Sequence, residues 1–478
     1  MSDYPDTELF IGGAWRTTSD DLPVINPANE QIIGRVACAD KTDLDDALDA
    51  AEKGFSVWRQ TAPKDRAEVL RNAAAIMRER QDQIAHDITV EHGKPYQQAR
   101  LEVVRGCEFF EWDAGEAVRA YGRVIPSGLG INYLVYQQPI GPVAAFSPWN
   151  FPMSQPARKI GSALAAGCSI IIKAAEETPA GAMHIARAFQ DAGLPAGVLN
   201  LVFGRPAEIS EYLLPQEMIR LVAFTGSTVV GRHLSMLAAQ HMTPVLMELG
   251  GHAPVIVCED TDVKAAARSS AVRKMRNAGQ VCTSPNRFFV HHTIYEEFLD
   301  TFIDRAAATV VGDGLAPATE MGPLANHRRL EAMAELVADA RESGAVVATG
   351  GKRIGTRGYF FEPTVLADVP RSARVMQEEP FGPLAIVNRV DSLDEAIECA
   401  NSVPFGLAAY GFTNRADYAD QMTQQVEAGN LSINTLEASV PETPFGGVKF
   451  SGYGREGGVE GLHNYMTVKN ISHSIPIV

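Results

Sequence analysis

LVAFTGSTVVGRHL, residues 221–234, passes from an apolar run through a glycine and a hydroxyl into a helical pattern. The run before Gly226 reads as a buried strand of a parallel sheet. After Ser227 the periodicity turns helical, with Gly231 inside the helix start. Free N–H groups at such a start can hold a phosphate. Gly226 lets the chain turn and Gly231 lets another surface approach. A strand-to-helix turn without a ligand is the alternative.

The same unit repeats on both sides. GPVAAFSPWN, a helix over 156–167, CSIIIKAAE, a helix over 180–192, VLNLVFG, a further helix, then TPVLMELGG after the quoted stretch, make a series of buried strands and helices. That alternation predicts an α/β fold with a Rossmann-type, doubly wound parallel sheet. A second strand-and-helix series starts near APVIVCED and continues to about residue 433, which predicts an α/β catalytic domain. Short strands are expected before residue 35. Thr42 and Asp45 suggest a capping box, and one long helical pattern runs from AEVLRNAAA to Gly93. Residues 121–139 read as an exposed hairpin, and the β-branched end reads as a strand without a local core, which favours pairing with another chain. The expected division is 1–120 with 140–249, 250–433, and 121–139 with 434–478. Gly452, Gly454 and Gly457 spell G-x-G-x-x-G, but the chain after them is too short for a βαβ unit and no helical pattern opens there, so a glycine-rich turn is expected.

The 478 residues carry 58 acids and 42 bases, a net charge of −16, which disfavours nucleic acid and anionic membranes as partners. The six cysteines form no C-x-x-C, and no histidine pair has zincin spacing, so neither a disulfide framework nor a metal is expected. A reducing, cytoplasmic compartment fits. The start lacks a signal-peptide pattern, and the longest apolar run, near 160–172, is too short to span a bilayer.

Chemistry concentrates at predicted strand ends. Lys173 closes CSIIIK, with Glu176 three residues on; a carboxylate there can accept both hydroxyls of an adenosine ribose. Glu248 stands before Gly250-Gly251, Asn150 lies in SPWNFP, and Cys282 lies in RNAGQVCTSPNR between the cations Arg276 and Arg287. A thiolate attacks a carbonyl, an amide and a backbone N–H stabilise the oxyanion, and a carboxylate activates water. Each residue alone has a bland reading, as a buried thiol, a turn amide or a strand-end carboxylate; their combination supplies an acyl-transfer kit.

PWNFP, KAAEETP, FTGSTVVG, MELGG, NAGQVC, EEPFGP and PFGGVKFSGYGREGG follow one another in an order and spacing that resembles the aldehyde dehydrogenase superfamily over essentially the whole chain. The resemblance implies Cys282 as nucleophile, Glu248 as general base, and Asn150 with the Cys282 amide as oxyanion hole. It implies NAD as cofactor, with NADP as the alternative. Lys173 and Glu176 are then on the adenosine ribose, Ser227 and the Gly226 turn near the pyrophosphate, Glu379 with Phe381 near the nicotinamide ribose, and Trp149 beside the cofactor. Hydride leaves a thiohemiacetal and water hydrolyses the resulting thioester. The position two after the nucleophile, where some relatives carry a second cysteine, is Ser284. The resemblance also implies a homo-oligomer, a dimer or a dimer of dimers, joined through 121–139 and the terminal strand.

Arg158, Arg276 and Ser439 point to a substrate with a distal carboxylate. If the segment before Cys282 is helical, Arg276 lies about 9 Å of rise from the thiol. The pattern is similar to the branch that oxidises succinate semialdehyde and 2-oxoglutarate semialdehyde, although the TLEASVPE loop differs from both. Betaine aldehyde or a neutral aliphatic aldehyde, or a non-catalytic protein keeping the fold, are the competing readings.

Overall fold

The computed structural model describes residues 4–128 and 130–474. Leu221–Thr225 is a strand buried at every residue, and Ser227 caps the helix Thr228–Ala239 by accepting the Val230 N–H. The strand belongs to an eight-stranded sheet ordered Ala14–Arg16, Leu9–Ile11, Leu199–Val202, Ile170–Lys173, Val143–Phe146, Leu221–Thr225, Val245–Glu248, Gly452–Tyr453. From Leu199–Val202 to Val245–Glu248 the neighbours are parallel. Strand order reverses between Val143–Phe146 and Leu221–Thr225, which opens a crevice beyond their carboxyl ends, where such sheets take ligands.

A seven-stranded sheet follows: Val346–Thr349, Thr364–Ala367, Leu384–Val390, Arg287–His291, Pro254–Val257, Ala408–Phe412, Asn430–Ile433. All its pairings are parallel except the edge strand Val346–Thr349. Each sheet has its own buried apolar cluster. One gathers residues from Tyr4 to Leu249 together with Leu462 and Tyr465; the other spans Ala253 to Met422. The chain crosses between them at Gly250-Gly251.

The hairpin Arg123–Ile125 and Ile131–Pro139 forms a three-stranded antiparallel sheet with Met466–Ser474. The stretch 434–465 does not join it, a correction to the expected 434–478 unit. Gly452–Tyr453 instead extends the first sheet, and Leu462 and Tyr465 enter the first core, because apolar side chains in that stretch find a ready core there. A short helix, Gly458–His463, does open after the G-x-G-x-x-G glycines, against expectation. The glycines themselves serve close packing: a Cβ on Gly452 would sit 1.9 Å from the Met247 carbonyl oxygen.

Three helical details also differ from the sequence reading. The box that caps Lys41–Trp58 is Asp40 with Asp43, not Thr42 with Asp45, since the helix starts earlier than the apolar pattern. The long pattern breaks at Arg80 into Pro63–Glu79 and Gln81–His92, ended by Gly93 at φ 87°. Tyr96–Ala117, unread in the sequence, packs against Pro63–Glu79 and Ser154–Ala166. Ser154–Ala166 is buried at every position, which makes its charged members Arg158 and Lys159 conspicuous, because a charge is buried only against a partner or for use. Among the described residues no helix is long and apolar enough to cross a membrane.

Candidate active site

Val245–Glu248 ends with Glu248 pointing into the interior at 2% exposure, and neither carboxylate oxygen has a hydrogen-bond partner among the described residues. Burial holds this carboxyl well above the usual carboxylate range; Glu456 pushes the same way, while Lys159, Arg158 and Arg455 oppose. Lys159 is pinned at 2.5 Å to Glu456 and at 2.6 Å to the Thr225 hydroxyl, so its charge is shared before it reaches Glu248. The two glycines after Glu248 are forced by crowding. A Cβ on Gly250 would lie 2.7 Å from a Glu379 oxygen, and one on Gly251 2.6 Å from the Cys282 carbonyl oxygen. The Gly250-Gly251 crossover thus brings Glu248, Glu379 and the cysteine loop together.

The cysteine loop is built on backbone strain. The helix Val263–Met275 stops before Arg276, and Asn277, Ala278 and Gly279 take φ of 53°, 52° and 68°. Left-handed residues that are not glycine are destabilised by roughly 1 kcal/mol each, so the surroundings must enforce them. They do. Gln280 accepts the Ala325 N–H and donates to the Asn277 carbonyl, and the Asn277 amide donates to the carbonyls of Asn150 and Gln280. The Asn150 side chain donates to the Gln280 carbonyl at 3.1 Å, which places its amide beside the cysteine loop. Lys94, buried and paired with Glu102, donates to the Asn150 carbonyl at 2.8 Å, and Glu102 also accepts the Met153 N–H. The left-handed turn corrects one expectation: the segment from Arg276 is not helical, so the rise argument for Arg276 falls. A second correction concerns Arg287. It is fully buried and donates to the carbonyls of His252, Cys399 and Ala400, a fixture of the second sheet and no partner of the thiol.

Burial pushes the Cys282 thiol up to about 12; Glu379 and Glu248 add to the rise, and Arg158 opposes it. The resting sulfur is therefore protonated. Since the thiolate forms as the pH rises toward the raised thiol pKa, kcat/KM should climb from about pH 6.5 to about pH 9, by up to tenfold per unit. A pH–rate profile flat across that range is the outcome this excludes.

Around these groups lie the other residues singled out in the sequence. Arg158 donates through Nη2 to the Ser439 hydroxyl at 2.6 Å and stacks over Phe109 and Phe445 at 4.1 and 4.8 Å, while Nη1 is buried without a partner among the described residues. Glu456, Glu248, Cys282 and Arg105 are its charge neighbours. Arg276 instead lies among Arg273, Glu437, Glu102 and Arg105. Glu379 accepts the Gly251 N–H at 3.2 Å, and burial lifts it to about 8 against Arg329 and Lys274. Phe381 holds φ 44° and meets Trp149 edge-on at 5.5 Å. Lys173 and Glu176 form an ion pair at the end of Ile170–Lys173, with the lysine nearly buried. Gly226 lies in the turn between strand and helix; its φ is not left-handed, and its N–H donates to the Glu248 carbonyl at 3.0 Å. Gly231 keeps its role of close approach, with Leu249 2.3 Å from where a Cβ would be.

Sequence reasoning missed the Lys159–Glu456 and Lys94–Glu102 pairs, the Arg105 guanidinium, and Lys274. Lys274 is fully buried, donates to Ser284 and Asn286 beneath the cysteine loop, and is lowered to about 7 by burial. A signal existed for Lys159, which sits beside Arg158 in an otherwise apolar helix. None existed for Glu456, whose partner lies 297 positions away.

A dinucleotide fits the crevice at the strand-order reversal. Ser147, just past Val143–Phe146, keeps a buried hydroxyl without a partner among the described residues, and Lys173, Glu176 and the Ser227 cap stand at neighbouring strand ends.

The aldehyde dehydrogenase family model matches residues 15–471. A 4-(hydroxymethyl)benzenesulfonate dehydrogenase of Comamonas testosteroni is 45% identical over 469 residues, covering 98% of each chain. The NADP(+) succinate-semialdehyde dehydrogenase of Escherichia coli is 39% identical over 472 residues, covering 97% of this chain and 98% of its own. The NAD+ complex of an aldehyde dehydrogenase from Bacillus cereus superposes with a TM-score of 0.97 at 34% identity, covering 99% of this chain and 97% of that one. The chain belongs to the aldehyde dehydrogenase family.

Proposed function

We propose that the protein oxidises an aldehyde with a distal anion to the corresponding acid, using NAD or NADP. Succinate semialdehyde and 2-oxoglutarate semialdehyde are the first candidates. The 45% identity to a 4-(hydroxymethyl)benzenesulfonate dehydrogenase widens the class to sulfonates. The observation that carries this reading is the Arg158 Nη1, unpartnered among the described residues and buried within charge reach of Cys282 in a protein of net charge −16. A desolvated guanidinium with a free nitrogen favours an oxyanion of the substrate.

In this reading the Cys282 thiol loses its proton to solvent and the thiolate sulfur attacks the carbonyl carbon. The Cys282 N–H and the second Asn150 amide hydrogen receive the oxyanion; such donors are worth ~3–4 kcal/mol each. Glu248 takes a proton from the water that releases the acyl group. Arg158 and Ser439 hold the distal anion, with Arg276 nearer the entrance. When bound, the dinucleotide supplies the two-electron acceptor. Lys173 and Glu176 would hold its adenosine ribose, Ser227 and the space at Gly226 its pyrophosphate, and Trp149, Glu379 and Phe381 its nicotinamide end. Glu176 favours a free 2′-hydroxyl over a 2′-phosphate by like-charge repulsion, unless Lys173 draws it aside. We further assign 1–120 with 140–249 to the cofactor, 250–433 to catalysis, and the hairpin with Met466–Ser474 to joining subunits as a dimer or a dimer of dimers, in the cytoplasm.

A panel of succinate semialdehyde, 2-oxoglutarate semialdehyde, 4-formylbenzenesulfonate, benzaldehyde and hexanal, each with NAD and NADP, tests this by absorbance of the reduced cofactor. The anionic aldehydes should give the higher kcat/KM. Arg276→Ala should raise their KM by about 10- to 100-fold, the loss of one charge-assisted contact, and leave hexanal nearly unchanged. Equal losses for charged and neutral aldehydes would remove the anion clamp.

A further inference from the structure

Arg105 takes no part in the chemistry assigned to Arg158 and Arg276, yet it faces the same place. It lies on Tyr96–Ala117 with its side chain about one-third exposed, at 35%. Its Nη2 is 3.7 Å from Glu437, and its Nη1 is 3.1 Å from Glu108. Glu437 belongs to the loop that Arg158 grips through Ser439, two residues further on. The loop is braced there, because the Ser432 hydroxyl donates to the Glu437 carbonyl at 2.9 Å. Glu437 and Arg105 are also both charge neighbours of Arg276, which has no ion-pair partner of its own among the described residues. An exposed carboxylate from this chain thus stands between guanidiniums on the mouth side of the clamp, where the distal anion of a longer substrate would arrive.

We propose that Arg105 is a further specificity-determining residue and that Glu437 is its built-in competitor, a carboxylate that an anionic aldehyde displaces on binding. The inference rests on the reading that the substrate carries an anion. The TLEASVPE loop then acts as a selectivity element. Glu437 lowers the affinity of the outer cations for any anion and so sets how far a second charge or a larger head group is tolerated. Short anionic substrates reach Arg158 without meeting Arg105; long ones, such as an aryl sulfonate, meet both.

The test compares 4-formylbenzenesulfonate with benzaldehyde, which share the ring and differ in the anion, using enzyme saturated with oxidised cofactor. The readout is the ratio of the two KM values, sulfonate over neutral. Glu437→Gln should lower the ratio by about three- to fivefold, the worth of a half-exposed ion pair. Arg105→Met should raise it by about tenfold, and the double variant should match Arg105→Met. A Glu437→Gln ratio that is unchanged or raised overturns the competitor while the wild-type preference for the sulfonate still stands. A wild-type enzyme without that preference overturns the anionic-substrate reading and the competitor with it.

Discussion

Cys282→Ser should lower kcat/KM for every aldehyde by about four orders of magnitude, with cofactor affinity unchanged. The serine hydroxyl is a far weaker nucleophile than sulfur, and the loop offers it no base in contact. Burial, Glu379 and Glu248 oppose ionisation of the thiol, and Arg158 with the Thr283 backbone N–H favours it. A hydroxyl, which ionises at much higher pH, gains nothing from that balance. The substitution is nearly isosteric in a loop held by Gln280, Asn277 and Asn150, so the left-handed turn and the melting temperature should both persist. Reduced-cofactor absorbance gives the rate, and a fluorescence titration gives the cofactor affinity. Turnover above a tenth of the native rate would rule out the sulfur as the bonding atom.

Glu248→Gln should cut steady-state kcat by about a thousandfold and spare the first turnover. Mixing the variant with aldehyde and cofactor should give a burst of about one reduced cofactor per site, followed by near-arrest, because the acyl group is formed but not released. Glutamine matches the shape of the carboxyl, and neither Glu248 oxygen has a hydrogen-bond partner among the described residues to lose. Removing a desolvated ionisable group should therefore leave the melting temperature unchanged or raise it. A variant that loses the burst assigns Glu248 to the first half-reaction, and one that keeps a steady rate within tenfold of native removes it as the base.

The legibility of this molecule followed the range of the forces involved. Buried strands such as Ile170–Lys173 and Leu221–Thr225 declare themselves locally, because every residue must be apolar and the turn must follow at once. The segments that carry Cys282, Glu248 and Asn150 stood out because each has small or rigid neighbours, and the structure brings them together: the Asn150 amide meets the cysteine loop, and Gly250 and Gly251 crowd Glu379 and the Cys282 carbonyl. What stayed hidden is long-range. Lys159 meets Glu456 across 297 positions, and Arg105 meets Glu437 from another element. The kink at Asn277–Gly279 was hidden for a different reason. Asn and Ala do not announce a left-handed backbone, and the contacts that impose it come from Asn150 and Ala325. Substrate choice was the least legible part, since the loop around Ser439 is held by the remote Arg158 and Arg105 as well as by its own bonds, such as Ser432 to Glu437.

The wholly enclosed helix Ser154–Ala166 also limits how the enzyme can be re-engineered. Arg158 is clasped between two aromatic rings and tied to a hydroxyl, so trading it for an apolar side chain would leave a void and strand neighbouring carboxyls. Libraries aimed at new aldehydes should leave that helix untouched and diversify the outer positions, where side chains already reach solvent and each exchange perturbs only the entrance.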